Sequence, residues 1–305
     1  MFKKNIDIGF DIKWENLPDD HHFKSTMTQL HANIFSNDSG SDLIEKNYYI
    51  INGLPVYYNK DDDVISIDLS GGADSTMIFY ILCKIITALK TSPKIVAMTM
   101  IRFWETKSST ENISDNILNY FKEKFPHLDI HYERGFVPPG LEKTPIKNIV
   151  FQNKVFPPHI MENAHGDVYA VHNFNEYIVQ KHKIKRSYGG VTTNPTHDVQ
   201  GPAFRKVREF TQDDFNSYLS DIYRKDPFVL IQKDWVMAQY ENFEIQDLRD
   251  MTRSCSSEDS ALNIIYGKNN WTKNGVEYSC NKCFFCTERA WAQANNTLLL
   301  KQNHQ

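Results

Sequence analysis

The chain has 305 residues, with 34 Lys and Arg against 38 Asp and Glu, and its formal net charge is −4 at neutral pH. This balance excludes a polybasic nucleic-acid arm as the dominant feature, although it is compatible with a local basic channel. A hydrophobic content of 41% and an aromatic content of 13% exclude a disordered chain. The longest apolar run, Met77–Cys83, is far shorter than the ~20 residues that a membrane span needs, and no secretory signal is visible. We therefore expect a soluble cytoplasmic protein of one or two domains with no membrane partner, and a nucleic-acid partner is not expected although the sequence does not exclude one.

Residues 1–60 are interpreted as an N-terminal extension that packs on a larger core, because they lack a long periodic run. Near their end, Tyr48–Ile51 and Leu54–Tyr58 are rich in β-forming residues and flank an Asn-Gly pair. Asn-Gly tolerates the positive φ angles of a tight primed turn. This pattern predicts a β-hairpin.

From Val64 onward, the pattern is an alternation of strands and helices. Strands separated by helices of this length are typical of parallel βαβ units with right-handed crossovers. The fold class expected for residues 61–225 is therefore α/β, with a doubly wound, mainly parallel sheet. The stretch Gly135–Pro158 contains five prolines and is predicted to be a loop over one edge of the sheet. The predicted strands are Val64–Leu69, Lys94–Ile101, Leu128–Tyr132 and Ser187–Thr192, and the predicted helices are Thr76–Lys90, Ser114–Phe125 and Asp167–His182.

A glycine-containing loop, Ser70–Ser75, lies between the first of these strands and the helix that follows. Paired glycines let the backbone turn sharply and approach a ligand without a Cβ in the way. The helix directs its unsatisfied N–H groups and positive dipole end toward the loop, which favours an anion and most naturally a phosphate. A turn that merely caps the helix is the alternative, since Gly, Asp and Ser are ordinary turn residues.

The string Ser-Gly-Gly-Ala-Asp-Ser, between a buried strand and an apolar helix, resembles the PP-loop of the ATP pyrophosphatase superfamily. The resemblance implies an adenine nucleotide alpha hydrolase-like fold and cleavage of ATP between its α and β phosphates. The serine hydroxyls would donate to phosphate oxygens, and Asp74 would orient the loop or help to hold Mg²⁺. The implied ATP-binding residues are Ser70, Gly71, Gly72, Ala73, Asp74 and Ser75.

The superfamily resemblance also implies a position for the adenine of ATP. The base would meet the end of the second strand, Met98–Ile101, through main-chain contacts and apolar packing. Met98 and Met100 are therefore candidate ATP-binding residues. A role for both as ordinary core residues is equally compatible with the sequence.

Four of the five cysteines lie in the last quarter of the chain, and three of them form two overlapping Cys-x-x-Cys units. Thiolates at this spacing can chelate a single tetrahedral ion, and four of them close the site. We therefore predict a structural metal site in a C-terminal helical lobe of residues 226–305. Zn²⁺ is favoured over an iron–sulfur cluster, and a catalytic dithiol comes third. The predicted ligands are Cys255, Cys280, Cys283 and Cys286, whereas Cys83 is interpreted as a small core residue.

The loop and the cysteines together resemble the 7-cyano-7-deazaguanine synthase family, which forms a nitrile in queuosine-precursor biosynthesis. A motif that precedes the first zinc cysteine in that family is similar to Asp226–Phe228 with Lys233, and the family's Thr-x-Ser-Cys is similar to Thr252–Cys255. Arg289 matches an arginine that follows the final cysteine, with a helix-capping role as the alternative. The resemblance is firm in the PP-loop and in the C-terminal lobe.

The chain departs from that family in the regions where the substrate would bind. An insert, Ser256–Ser279, separates the first two cysteines, and Arg102–Glu105 replaces an Asp-Tyr-Gly-Gln-like string after the second strand. The substrate-facing loop, Tyr188–Asp198, followed by Arg205, is similar in outline only. The resemblance therefore implies the reaction type more firmly than it implies the substrate.

The reaction type that the resemblance implies is that of an ATP-dependent C–N ligase. ATP would adenylate a carboxylate, such as 7-carboxy-7-deazaguanine, and release pyrophosphate; ammonia would then give an amide, and a second activation and dehydration would give a nitrile. Asp74, Lys233 and Arg205 are the candidate catalytic residues, the last two as contacts to phosphate or carboxylate, with surface solvation as the alternative for Arg205. The implied cofactors are ATP, Mg²⁺ and Zn²⁺, the partners are the small-molecule carboxylate and ammonia, and the assembly is a homodimer.

Two other classes of function stay open. One is another PP-loop enzyme, a tRNA-modifying sulfur transferase or a sulfonucleotide reductase, in which the late cysteines are redox-active. Against it, Cys83 is the one thiol near the loop in the sequence. The other is a non-catalytic nucleotide-binding partner protein that senses nucleotide without turnover.

Overall fold

A computed structural model describes residues 14–35, 47–102, 109–137, 166–195, 208, 221, 223–253, 255, 272–273, 276–277 and 280–300. Its helices are α1 (His22–Phe35), α2 (Ala73–Leu89), α3 (Ser109–Lys124), α4 (Gly166–His182), α5 (Lys233–Asn242), α6 (Gln246–Met251) and α7 (Phe284–Asn295). Its strands are β1 (Tyr48–Ile51), β2 (Leu54–Tyr57), β3 (Val64–Asp68), β4 (Lys94–Arg102), β5 (Asp129–Val137), β6 (Arg186–Tyr188), β7 (Arg224–Lys225), β8 (Thr272–Lys273) and β9 (Val276–Glu277). Within the described ranges, no helix has both the length and the apolar character to cross a membrane.

Five parallel strands form the central sheet, in the order β5-β4-β3-β6-β7. Ile65 of β3 pairs with Ile95 of β4 on one side and with Arg186 of β6 on the other. The chain first adds β4 and β5 on one side of β3 and then crosses over for β6 and β7. This reversal confirms the predicted doubly wound α/β sheet. It also creates a crevice at the carboxyl ends of β3 and β6, the position at which sheets of this kind bind ligands.

Helices cover both faces of the sheet. Ile95 of β4 belongs to the main buried cluster, in which Phe79 of α2 stacks on Phe121 of α3 with ring centroids 4.0 Å apart. The next residue, Val96, faces the other side and belongs to a second cluster with Ile178 of α4. Because β4 is buried on both faces, it has the near-continuous hydrophobic sequence of a central parallel strand.

The predicted β-hairpin is confirmed, since β1 and β2 pair antiparallel along their whole length. Its turn residues, Asn52 and Gly53, have φ angles of +47° and +83°, as a primed turn requires. The turn is anchored on α5. Trp235 Nε1 donates a 3.3 Å hydrogen bond to the Asn52 carbonyl, and Asn52 Nδ2 donates to Gln239 Oε1.

Helix α1 corrects the expectation that residues 1–60 hold no periodic element. Phe23 and Met27, one turn apart, are fully buried in the main cluster, and the Phe23 ring stacks on Trp235 with a centroid distance of 6.2 Å. The polar Lys, Ser and Thr between these two residues weaken the hydrophobic contrast of the pattern. The described part of the extension packs on the core, as predicted. The division of the chain at residues 60 and 225 stays a prediction.

Several element boundaries also differ from the predicted ones. Helix α3 begins at Ser109 rather than at Ser114. Helix α2 begins at Ala73 rather than at Thr76, because the backbone enters the helix directly after Gly72. Strand β5 extends to Val137, since its pairing with β4 continues, so the first residues of the predicted loop Gly135–Pro158 lie in the sheet. Strand β6 ends at Tyr188, where two glycines follow.

The segment after β6 packs directly against the start of α2. A Cβ built on Gly190 would lie 2.5 Å from the carbonyl carbon and oxygen of Asp74 and 2.6 Å from the Ser75 nitrogen. Both are backbone groups, so no side-chain rotation can relieve the overlap. Gly190 therefore allows the β6 segment and the α2 N-terminus to meet across the crevice.

We expect Gly190→Ala to lower the free energy of unfolding by about 1–3 kcal/mol, the usual cost of overpacking a rigid contact. Its neighbour Val191 is exposed, so Val191→Ala should stay within about 0.5 kcal/mol of wild type. Urea denaturation followed by circular dichroism measures both. Equal stability of Gly190→Ala and wild type would contradict the close contact.

Candidate nucleotide and metal sites

The loop Ser70–Ser75 lies at the carboxyl end of β3 and leads into α2. Gly71 has a φ of +77°, a conformation that favours glycine. The Ser70 and Ser75 hydroxyls are 2.9 Å apart, and the Gly72 N–H donates to Ser70 Oγ at 3.3 Å. Gly72 is the N-cap of α2 and provides no side-chain cap, so the helix start directs its amides and its positive dipole end toward the crevice.

Other parts of the chain hold this loop in place. The hydroxyl of Tyr240, on α5, donates a 2.7 Å hydrogen bond to the Ala73 carbonyl. The backbone N–H of Arg253 donates to the Gly71 carbonyl at 2.9 Å. Since Tyr240 and Arg253 both belong to the C-terminal part of the chain, that part fixes the backbone of the loop.

Asp74 presents one satisfied and one unsatisfied carboxylate oxygen. Its Oδ2 lies 2.9 Å from Lys233 Nζ. Its Oδ1 is buried and has no hydrogen-bond partner among the described residues. Leaving a buried carboxylate oxygen unpaired costs free energy, and Mg²⁺ binds oxygen ligands of this kind beside phosphates. Asp74 is therefore chemically suited to bind the Mg²⁺ ion that the family resemblance implies.

Lys233 joins Asp74 to a buried charge network. Its Nζ lies 2.9 Å from Asp74 Oδ2 and 3.1 Å from Glu288 Oε2. On the far side, Arg208 Nη2 donates to Glu288 Oε1 at 2.6 Å, and Arg208 Nε donates to the Thr192 carbonyl at 2.7 Å. Lys233 and Glu288 are 2% and 1% exposed. Two cations and two carboxylates balance, which is the condition for burying such charges.

The pKa values of Asp74, Lys233 and Glu288 depend on burial and on the charges that surround each group. Burial raises the pKa of Asp74, and the neighbouring Glu288 carboxylate raises it too, whereas Lys233 acts to lower it. Burial opposes ionisation of Glu288, but Lys233 and Arg208 together outweigh it and lower the pKa of Glu288. Burial also disfavours the charged form of Lys233, yet the two carboxylates raise its pKa. Glu288 is therefore the better stabilised of the two carboxylates.

A second ion-pair cluster lies at the same edge of the sheet. Arg224 Nη1 donates to Asp68 Oδ2 at 2.5 Å, and its Nε and Nη2 each donate to one oxygen of Asp226 at 2.9 Å. Burial raises the pKa of Asp68. Together with fully buried Phe228, these contacts fix the segment that leads to Lys233, which is the segment identified from its family resemblance.

The two methionines predicted to meet adenine lie on the α4 face of β4. Met98 is buried in the second cluster with Ile178, and its carbonyl accepts a 2.7 Å hydrogen bond from Leu69 N–H. The Met100 methyl group would lie 2.9 Å from a Cβ built on Gly135. Both side chains therefore have packing roles, and their contact with adenine stays a prediction.

The four clustered cysteines converge on one point. Their sulfur atoms lie within 4.8 Å of one another, with Sγ–Sγ separations of 3.5 Å for Cys283–Cys286, 3.8 Å for Cys280–Cys286 and 4.0 Å for Cys255–Cys283. The backbone N–H of Cys283 donates to Cys280 Sγ at 3.2 Å, and the N–H of Cys280 points to Cys255 Sγ at 3.4 Å. Such N–H···S contacts stabilise thiolates, so the donor set fits a metal ion.

Arg289 caps a helix, although not its own. Its Nη1 and Nη2 donate to the carbonyls of Thr252 and Arg249 at 2.8 and 2.9 Å, at the carboxyl end of α6. Burial lowers the pKa of Arg289. The contact ties α7 to the chain segment that leads into Cys255, which supports the capping alternative for this residue.

A smaller polar cluster joins α1 to the start of α5. His22 Nε2 lies 3.3 Å from Asp234 Oδ1, and His21 stacks on His22 with a centroid distance of 5.0 Å. His21 Nδ1 accepts a 3.2 Å hydrogen bond from Phe23 N–H, so this nitrogen satisfies a backbone donor in the first turn of α1. The cluster is a contact of the extension with the residue next to Lys233.

Arg208 and Glu288 are site residues that sequence reasoning missed. Glu288 shares the buried face of α7 with Phe284 and Ala292, at intervals of four residues, and a carboxylate on that face is the signal that could have identified it. No pattern distinguishes Arg208 from Arg205, which lies outside the described residues, as does most of the insert Ser256–Ser279.

The comparisons with known proteins are sparse. No family model and no curated protein matches the chain. Among solved structures, the chain is similar to the U34-tRNA thiolase NcsA from Methanococcus maripaludis with its [4Fe-4S] cluster, with 14% identity and a TM-score of 0.40 over 95% of this chain and 84% of that chain. The cluster and the tRNA substrate in this description belong to that thiolase.

The buried ion pairs of Lys233 with Asp74 and Glu288 should contribute to the stability of the fold. Lys233→Met leaves two carboxylates buried without their shared cation, so we expect the free energy of unfolding to fall by about 3–5 kcal/mol. Adding Asp74→Asn should recover part of this loss, because it removes the carboxylate left without a cation, while Glu288 keeps its ion pair with Arg208. Urea denaturation of the single and double variants measures the recovery. A double variant less stable than Lys233→Met would contradict the network.

Proposed function

We propose that this chain is an ATP-dependent ligase of the PP-loop superfamily that adenylates a small-molecule carboxylate and then amidates it. The observation that carries the proposal is the loop Ser70–Ser75, which has uncapped helix amides and lies beside a buried carboxylate oxygen of Asp74 that has no partner in the described chain. Anion-binding amides next to a cation ligand are what a metal-bound pyrophosphate leaving group requires.

The described residues have distinct roles in this reaction. The loop amides and the Ser70 and Ser75 hydroxyls bind the β and γ phosphates of ATP. Asp74 Oδ1 would hold Mg²⁺, which would supply charge neutralisation at the phosphates. Lys233 favours the ionised form of Asp74 and orients the carboxylate from the opposite oxygen. The protein thus contributes position and charge, and no side chain forms a covalent bond.

Bond changes in the proposed reaction are confined to the substrates. The carboxylate oxygen attacks the α phosphorus of ATP, and pyrophosphate leaves. Ammonia attacks the acyl carbon, AMP leaves, and a proton is released as the amide forms. For a nitrile product, a second ATP adenylates the amide oxygen, and that oxygen departs with AMP as two protons are lost.

A substrate similar to 7-carboxy-7-deazaguanine is supported by the family resemblance of Asp226–Phe228, Lys233 and Thr252–Cys255. In the structure these segments are neighbours of the loop: Lys233 pairs with Asp74, and Arg253 bonds to Gly71. Residues far apart in the sequence thus lie around one crevice, as a shared substrate site requires. This proximity and the resemblance together support the proposed substrate.

The metal proposed for the four-cysteine site is Zn²⁺. A tetrahedral zinc ion with Zn–S bonds of about 2.3 Å separates its sulfurs by about 3.8 Å. The Sγ–Sγ separations of 3.5, 3.8 and 4.0 Å agree with this value. In a [4Fe-4S] cluster each thiolate binds a different iron, which moves the sulfurs further apart. The geometry supports a single ion.

The sulfur-transfer and reductase alternatives need reactive cysteines, either a thiol near the loop or the late cysteines. Cys83 is fully buried in α2, and burial raises the pKa of its thiol well above the usual value. A buried neutral thiol is a poor nucleophile. Among the described residues, the remaining thiols are the four that converge on the metal site. The ligase proposal is therefore preferred.

Metal analysis of the purified protein tests the zinc proposal. We expect one zinc per chain without acid-labile sulfide, and loss of most of that zinc in Cys283→Ser. Cys83→Ser is the matched control and should retain the metal, because Cys83 is a buried residue of α2 and is not one of the four clustered cysteines. Stoichiometric iron with sulfide would contradict the zinc proposal.

ATP–pyrophosphate exchange tests the proposed reaction, with 7-carboxy-7-deazaguanine as the first carboxylate. Asp74→Asn should slow exchange by about 10²–10³-fold, because it weakens the electrostatic stabilisation of the leaving pyrophosphate. Asp115→Asn is the control, since Asp115 pairs with Arg134 on the surface at 2.8 Å, and it should exchange at the wild-type rate. The absence of carboxylate-dependent exchange in wild type would favour the non-catalytic nucleotide-binding partner.

A further inference from the structure

We infer that metal occupancy of the four-cysteine site controls the affinity of the Ser70–Ser75 loop for Mg·ATP, and that Glu288 is the positioning residue that couples the two sites. The inference rests on the proposed function, because it requires ATP at that loop. It goes beyond the structural role predicted for the metal and assigns a role to Glu288.

The first link between the sites is helix α7. Cys283 is the N-cap of α7, and Cys286 lies in its first turn. Glu288 follows two residues later, about 3 Å further along the helix axis. A metal that binds Cys283 and Cys286 therefore fixes the end of α7 that carries Glu288.

Glu288 transmits this position to the loop through Lys233. Lys233 Nζ lies between Glu288 Oε2 at 3.1 Å and Asp74 Oδ2 at 2.9 Å. If Glu288 moved away, Lys233 would lose one of its two ion pairs and would pair with Asp74 alone. Asp74 Oδ1, the oxygen assigned to Mg²⁺, would lose its fixed orientation.

The second link is the chain segment before Cys255. Arg253 N–H donates to the Gly71 carbonyl, and Arg289, on α7, donates to the Thr252 carbonyl. Binding Cys255 and the three later cysteines to one ion joins this segment to α7. The metal thus supports the loop at Gly71 as well as at Asp74.

Coupling of this kind must be reciprocal. If the metal tightens ATP binding by a given factor, ATP tightens metal binding by the same factor. Typical couplings are about 5–150-fold. We therefore expect an ATP analogue to raise the equilibrium affinity for the metal by at least about 5-fold, a readout that does not depend on catalysis.

The experiment measures the equilibrium partition of the metal between the wild-type protein and a chromogenic chelator, with and without Mg²⁺ and α,β-methylene-ATP. Calorimetry gives the affinity of the analogue for metal-loaded and metal-depleted protein. We expect the analogue to raise the affinity for the metal, and metal depletion to lower the affinity for the analogue, by the same factor. Equal affinity in both forms overturns the inference and leaves the proposed function intact. No binding to the metal-loaded form overturns the proposed function.

Glu288→Gln tests the positioning role, because it keeps the size of the side chain and removes its charge. We expect full metal content and a coupling factor reduced toward 1. Glu241→Gln is the matched control, since Glu241 also pairs with an arginine, Arg249, but lies at the other end of α5 from Lys233. Undiminished coupling in Glu288→Gln would overturn the role of Glu288. If this variant does not fold, the wild-type measurement still decides whether the two sites are coupled.

Discussion

The pairing of Lys233 with two carboxylates is the interaction on which the candidate site depends. One carboxylate, Asp74, belongs to the first turn of the helix after the glycine loop, and the other, Glu288, belongs to the helix that starts in the cysteine site. A buried ammonium group is stable in such a place because the carboxylates and Arg208 balance the charge. The same balance brings three distant stretches of chain to one point.

Close backbone packing complements this charge pairing. Gly190 lets the segment after β6 touch the first turn of α2, and Tyr240 fixes the Ala73 carbonyl. The loop is therefore held from several sides while its amides remain directed to the crevice. Preorganised donors of this kind need little rearrangement when an anion binds, which is the basis of electrostatic catalysis.

Much of this arrangement could be predicted from local patterns. The strand–loop–helix order around Ser70–Ser75, the Asn52-Gly53 hairpin and the convergence of the cysteines follow from turn chemistry, periodicity and ligand spacing. Helix α1 was missed because polar residues interrupt its apolar positions. Glu288 was missed because its partner is 55 positions earlier in the sequence (288 − 233 = 55), and no local rule links residues at such a separation.

The most direct test of the central claim is a crystal structure of the protein with Mg²⁺ and α,β-methylene-ATP. We expect the β and γ phosphates to lie within hydrogen-bond distance of the amides from Gly71 to Asp74, with Mg²⁺ bound by Asp74 Oδ1 and Lys233 still beside Oδ2. An analogue bound elsewhere on the molecule, with this loop empty, would contradict this claim.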